Sequence, residues 1–247
     1  PKEMNLNMNL KISVPSLLGG VCILASASVS AEMVWSDFSL TFMKGGDYEV
    51  GDPDRTVFTV EHISAHSWGD NFFFIDRLNS KDGTTESYFE VSPRLSLGYL
   101  TGSELKFGPV KDLLVATTWE AGQGFDNYLY GVGLNLDVPG FQYVGLNLYQ
   151  VSNELWEDDQ QLTLTWGYPF AIGSADFVYD GYIDWSSAES DHASEMAFVS
   201  QLKWNLGKLF DAKAPVYVGI EYVNWTNKFG IEGVDEHNPN LMLQWHF

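Results

Sequence analysis

Apolar and polar residues alternate with a period of two along most of this chain. Phe38, Leu40 and Phe42 alternate with Asp37, Ser39 and Thr41, and Phe89, Val91, Leu95 and Leu97 with Glu90, Ser92, Arg94 and Ser96. Tyr128 to Leu136, Val144 to Leu148, Leu162 to Trp166 and Leu241 to Phe247 repeat the pattern. A strand turns successive side chains to opposite faces, whereas a helix repeats every 3.6 residues, and no helical period competes here. The pattern predicts twelve strands, over about 34–44, 55–64, 71–78, 86–98, 111–121, 127–137, 141–151, 160–169, 175–186, 195–206, 215–226 and 239–247. Polar, mostly acidic segments separate alternate strands: Gly45–Asp54, Asn79–Thr85, Gln123–Asn127, Asn153–Asp159, Ser187–Ser194 and Gly230–His237. These are expected as loops on one side. The intervening turns, such as Val138-Pro139-Gly140, are expected to be shorter or apolar. An even strand count returns both ends of the sheet to the same side.

Alternation alone does not say what the apolar face touches. In a soluble sandwich it meets a dry core; in a membrane barrel it meets lipid and the other face lines a lumen. Three features favour the barrel. Small and polar residues crowd the second face, among them Gly131, Gly133, Asn135, Gly145, Asn147 and Gly219. Trp35, Trp119, Tyr128, Trp166, Trp185, Trp204 and Trp245 fall near predicted strand ends, where interfacial girdles sit. The last strand ends on Phe247, with Trp245, Leu243 and Leu241 on the same face. The fold class expected is an all-β, transmembrane, antiparallel up-and-down barrel.

Residues 1–31 read as a secretory signal and 32–247 as the barrel. Lys2 and Lys11 precede an apolar stretch from Ile12 to Leu24, and Val29-Ser30-Ala31 offers a small-residue cleavage site, with Ala25-Ser26-Ala27 as the alternative. The stretch is shorter than the roughly 20 residues that span a bilayer as a helix. The leading Pro1 suggests a sequence that lacks its true start or begins upstream of Met4 or Met8. Cys22 raises the question of lipidation, but Gly19-Gly20-Val21 is a poor lipobox. As the only cysteine it excludes a disulfide scaffold. The 247 residues carry a formal charge of −20, and aromatics make up 15%. Such a charge argues against nucleic acid as a partner, since nothing would neutralise the phosphates.

Residues 87–110 are similar to the Tsx-type nucleoside-specific channels of Gram-negative outer membranes. The matching elements are Glu90, Pro93 and Arg94 on one strand, Leu100-Thr101, and Phe107-Gly108-Pro109. Looser agreement covers Trp68 to Phe74, Tyr130-Gly131-Val132-Gly133, and Asn227 to Gly233. The resemblance implies a monomeric twelve-stranded barrel in the outer membrane whose narrow lumen passes nucleosides by facilitated diffusion. It implies no cofactor and no catalytic step. The implied partners are membrane lipid, lipopolysaccharide, nucleoside-like solutes, and the barrel-assembly machinery that would read the closing strand at Phe247. The chain is shorter than the best-known members, chiefly in its loops.

If the small and polar face is inward, Asp37, Glu61, Asp76, Glu90, Arg94, Asp180, Asp184, Lys203 and Glu221 line the lumen. Arg94 and Lys203 are expected to pair with some of these carboxylates. Two readings follow: such pairs hold the wall together, or they shape a narrow acidic pore that excludes anions and orients polar solutes. Phe72, Phe74, Tyr149, Tyr182 and Trp225 share the inward parity. There they would either stack on bases or pack as an interior plug, and a slip of one residue would turn any of them to lipid. His62 and His66 suggest no metal geometry, and no Gly-x-Ser-x-Gly elbow marks a hydrolase. Trp156-Glu157-Asp158-Asp159 offers a loop that could take a divalent cation or stay solvated. The rival readings are a secreted soluble β-sandwich binding protein and a barrel acting mainly as a surface receptor.

Overall fold

The twelve alternating segments close on one another. The computed structural model describes residues 32–247; the expected signal sequence lies outside them. The strands are β1 (Met33–Gly45), β2 (Arg55–His66), β3 (Gly69–Ser80), β4 (Thr85–Ser96), β5 (Val110–Gly122), β6 (Phe125–Leu136), β7 (Tyr143–Ser152), β8 (Gln160–Ile172), β9 (Ala175–Ser186), β10 (Glu195–Asn205), β11 (Val216–Thr226) and β12 (Glu236–His246). Each pairs antiparallel with its sequence neighbours, and β12 returns to β1 through Ser39↔His246 to Lys44↔Leu241. Closure leaves no edge strand with unpaired backbone groups, the condition for a sheet in hydrocarbon.

The interior is identified by side chains that meet across strands which are not neighbours. Arg94 on β4 reaches Asn135 on β6 (2.9 Å) and Asn147 on β7 (3.3 Å). Only the concave side allows such a chord. The register then carries the assignment around the sheet: Glu61↔Phe74↔Glu90↔Glu120 and Asp180↔Gln201↔Glu221↔Asn240 point inward. The alternate residues, including Leu40, Phe42, Phe58, Ile75, Val132, Leu148, Leu202, Ile220, Leu241 and Leu243, face out and are exposed. An apolar outer surface around a polar inner one inverts the arrangement of a soluble protein.

Two aromatic belts ring the outside. Trp119, Tyr128 and Trp185 sit near one end of the barrel, and Trp204 and Trp245 near the other. Trp35 departs from the expected girdle, because its register with Ala65 gives it the inward parity of Asp37 and Ser39. Trp166 departs from it as well. It lies mid-strand on β8, opposite Gly181, and only 8% of it is exposed. It fills the dimple left by the missing Cβ and stacks on Phe198 at 5.8 Å.

The connections after β1, β3, β5, β7, β9 and β11 share one end, hereafter the acidic end; the remaining connections and both sheet termini share the other. The acidic loops fall together as the sequence pattern predicts, but the opposite connections are not all short. Residues 97–109 contain a helix, α1 (Leu97–Thr101), and 206–215 a 3-10 turn at Gly207–Leu209. The sequence pattern carried the fourth strand to residue 98. It stops at Ser96 because the Ser96 hydroxyl accepts from the Tyr99 amide (3.1 Å), which caps the helix. The fifth connection also differs, shrinking from Gln123–Asn127 to residues 123–124.

Candidate functional site in the lumen

The lumen has two layers of charged side chains and a file of aromatic rings along one wall. Toward the terminal end, two cations hold struts across the wall. Arg94 makes a bidentate pair with Asp70 (Nε to Oδ1 2.7 Å, Nη2 to Oδ2 2.6 Å) besides its bonds to Asn135 and Asn147. Gly133 and Gly145, both inward, leave room: a Cβ on Gly145 would sit 3.5 Å from the guanidinium, and one on Gly133 2.5 Å from Asn147. Lys203 pairs with Asp180 (2.5 Å), donates to Gln244 (3.2 Å) and stands over the Tyr217 ring. His246 meets Asp37 at 2.6 Å nearby.

The middle layer is acidic. Glu61, Asp76, Glu90, Glu120, Asp184 and Glu221 face the lumen, and among the described residues none has a Lys, Arg or His partner within ion-pair distance. Their partners are neutral. Asp76 accepts from Thr59 (2.5 Å), Asp184 from Thr163 (2.5 Å), and Glu221 from Gln201 (2.8 Å) and Asn240 (3.1 Å). Glu90 and Glu120 both lie 2.6 Å from the Tyr88 hydroxyl. Carboxylates without counter-charges are tolerable in a membrane protein only where they line water.

The inward aromatics separate into two groups. Phe72, Phe74, Tyr88 and Phe125 form a file up one wall, with successive ring centroids 5.8, 5.7 and 6.2 Å apart. Tyr182 faces the same space and is 39% exposed. Tyr149 and Trp225 are occupied. Tyr149 is buried against Ala116, Leu129 and Val151. The Trp225 indole donates to Glu195 (2.7 Å), and its ring is covered by the Lys228 ammonium at 4.6 Å. The register thus puts every sequence-selected position on the inner face, with Asp76, Glu90, Asp184, Phe72 and Phe74 around the middle of the passage and Arg94 and Lys203 at one end of it. Tyr88, Glu120 and Phe125 belong to the same wall. Tyr88 and Glu120 were legible as steps of two from Glu90 and from the fifth strand's alternation; Phe125 was hidden in what reads as a loop.

At the acidic end, the carboxylates of segment 153–159 are spent on the loops themselves. Asp158 accepts from the Asn153 amide (3.1 Å), Glu157 from the Ser190 amide (3.3 Å), and Asp159 meets His192 at 3.2 Å. Outside the barrel, His62 lies between Phe38 and Phe73. Among the described residues no group of three or more His, Cys, Asp or Glu is arranged to hold a metal ion.

A twelve-stranded barrel with a polar, aromatic-lined interior can be compared with known families. The model of the nucleoside-specific channel-forming protein Tsx matches residues 31–239. This chain belongs to the Tsx family. It is therefore an outer-membrane barrel of a channel-forming, non-enzymatic family, and the acidic end faces outward if both sheet termini lie in the periplasm. Relatives of this Tsx-family chain include two proteins named outer membrane protein OmpK. One, from Vibrio parahaemolyticus, is 33% identical over 129 residues, covering 50% of this chain and 49% of the relative. The other, from serotype O3:K6 of that species, is 36% identical over 172 residues, 61% and 63% respectively. The chain thus matches about half to two thirds of the length of these relatives. Among solved structures, a KdgM porin superposes with a TM-score of 0.52 at 11% identity over 85% of this chain and 99% of the porin. A KdgM porin in complex with disordered oligogalacturonate gives 0.51 at 11% identity over the same shares of the two chains. That likeness is one of fold.

Proposed function

We propose that this chain is a passive outer-membrane channel for nucleosides and similar small, uncharged polar solutes. The observation that carries the reading is the file Phe72–Phe74–Tyr88–Phe125 running beside carboxylates that pair with no counter-charge among the described residues. A nucleoside has one flat apolar part and one hydroxyl-rich part. Base–aromatic stacking is worth about 1–3 kcal/mol per base. Sugar hydroxyls would donate to Glu90, Glu120, Asp76 and Asp184. These bonds replace those lost to water, so the solute can enter without being held. The same carboxylates repel anions, so phosphorylated solutes are disfavoured. Membership of a nucleoside-specific family supports the solute class.

The test is swelling of proteoliposomes in nucleosides, in sugars of equal size and in nucleoside monophosphates. Nucleosides should enter fastest and monophosphates slowest, and Phe74→Ala should reduce the preference for nucleosides over sugars several-fold. Equal rates for nucleosides and sugars would remove the nucleoside reading and keep the channel. No swelling in any solute would remove both. Under the same reading the chain works as a monomer among phospholipid and lipopolysaccharide.

A further inference from the structure

The nine residues between β1 and β2 turn inward. Tyr48 packs against Met43, Val57 and Met242, all of them inward residues, and its hydroxyl lies 3.1 Å from Asn240 Oδ1. The loop backbone is seated on the same strand: the Asp47 amide donates to Asn238 Oδ1 (3.1 Å) and the Glu49 amide to Glu236 Oε2 (2.9 Å). Glu236, Asn238 and Asn240 are inward neighbours on β12, each 1% exposed or less. From below, Arg55 donates to the Asp52 carbonyl (2.8 Å) and the Val50 carbonyl, and its guanidinium stands 5.1 Å from the Tyr48 ring centroid. Lys228, from the last outer loop, pairs with Glu236 (2.5 Å) and also approaches Tyr48. Gly45 admits the arrangement, since a Cβ there would lie 2.0 Å from Asn240 Oδ1.

A connection needs none of this; residues 123–124 join β5 to β6 with two residues. Three buried polar side chains on a lumen wall are costly unless their bonds are made, and here they are made to one loop and its neighbours. The chain therefore spends buried polar groups on holding an aromatic ring inside its mouth. We propose that Tyr48 is the size-determining residue of the outer constriction, carried into the passage by segment 46–54 and held on the Glu236–Asn238–Asn240 ladder. This rests on the channel reading above and adds where solute size is selected.

Single-channel conductance in planar bilayers tests it, with heat-modifiable gel mobility confirming that each variant is folded. Tyr48→Ala should conduct about twofold better than the parent and Tyr48→Trp less well, because conductance follows the narrowest section. Since Cys22 is the sole cysteine and precedes the barrel, Tyr48→Cys gives a unique thiol in the barrel. Its conductance should rise like that of the alanine variant, then fall below the parent value when a bulky methanethiosulfonate reagent is attached. Asn240→Ala, which keeps the ring but removes one seat, should give a noisier open level. Conductances indistinguishable across the Ala, Trp and modified Cys forms would overturn the assignment while the channel stands. A parent protein that is silent in the bilayer would overturn the channel reading and this inference with it.

Discussion

Trp166 and Gly181 show how much a single position on the lipid face depends on its partner. A Cβ on Gly181 would lie 2.1 Å from the Val199 carbonyl and 2.9 Å from the Trp166 ring. Gly181→Ala should therefore cost about 2 kcal/mol or more in urea unfolding of the detergent-folded barrel. The Trp166 indole N–H is buried without an acceptor, so Trp166→Phe should leave stability unchanged or raise it by about 1 kcal/mol. Inside, Arg94→Met strands the Asp70 carboxylate and should destabilise by about 3 kcal/mol, with Asp70→Leu added in the same chain recovering most of the loss. Parity read from the sequence finds residues such as Arg94 and Glu90 on the inner face. It does not find what they touch. Tyr149 and Trp225 have the same parity as Phe72 and Phe74, yet one is packed into the wall and the other is covered by Lys228, a residue from a loop that has no parity at all.

At the scale of elements, the strands were legible and the connections less so. Alternation over ten or more residues is a strong signal, because a one-residue error would bury every charge in lipid. Strand ends carry weaker signals: the alternation runs past Ser96, where a helix cap ends β4, and it begins only at 239, whereas β12 starts at Glu236. Between the loops of the acidic end, His192 makes bonds from both ring nitrogens, to Asp191 (2.7 Å) and Asp159 (3.2 Å), with Glu189 and Glu157 near by. Burial opposes the charged ring, but the bonds to Asp191 and Asp159 outweigh it and hold its pKa above the ordinary histidine value. Because the folded value is raised, this tie between segments 153–159 and 187–194 is complete below about pH 6.5 and is lost as pH rises through the raised value. Burial raises the pKa of Asp159, and the bond from His192 opposes that rise. Amide exchange in both segments should be faster at pH 9 than at pH 6 after correction for intrinsic rates. His192→Gln should abolish that difference; a difference that persists in the variant would assign the effect elsewhere.

Over the whole molecule, closure is the decisive event. The Phe247 amide donates to the Phe38 carbonyl at 2.9 Å, and the Phe247 ring packs on Phe38 and Trp245. We propose that this closing strand is also what the barrel-assembly machinery reads. Deleting Phe247 should then lower the heat-modifiable, membrane-embedded form several-fold in cells while leaving folding into detergent in vitro much less affected; an equal loss in both would make the residue purely a packing element.

The order of polar and apolar residues by itself determined that this chain forms twelve strands, that each has one greasy and one polar face, and which acids and aromatics share the polar one. It could do so because strand geometry is local, with a period fixed by the backbone. Only the tertiary structure decided which polar side chains meet across the interior, that Arg94 and Lys203 serve as struts at one end, and that the middle acids pair with no cation among the described residues. It alone seated Tyr48 on β12, some 190 residues away in the chain. Those facts depend on closure, which brings together residues whose separation along the sequence carries no period to read.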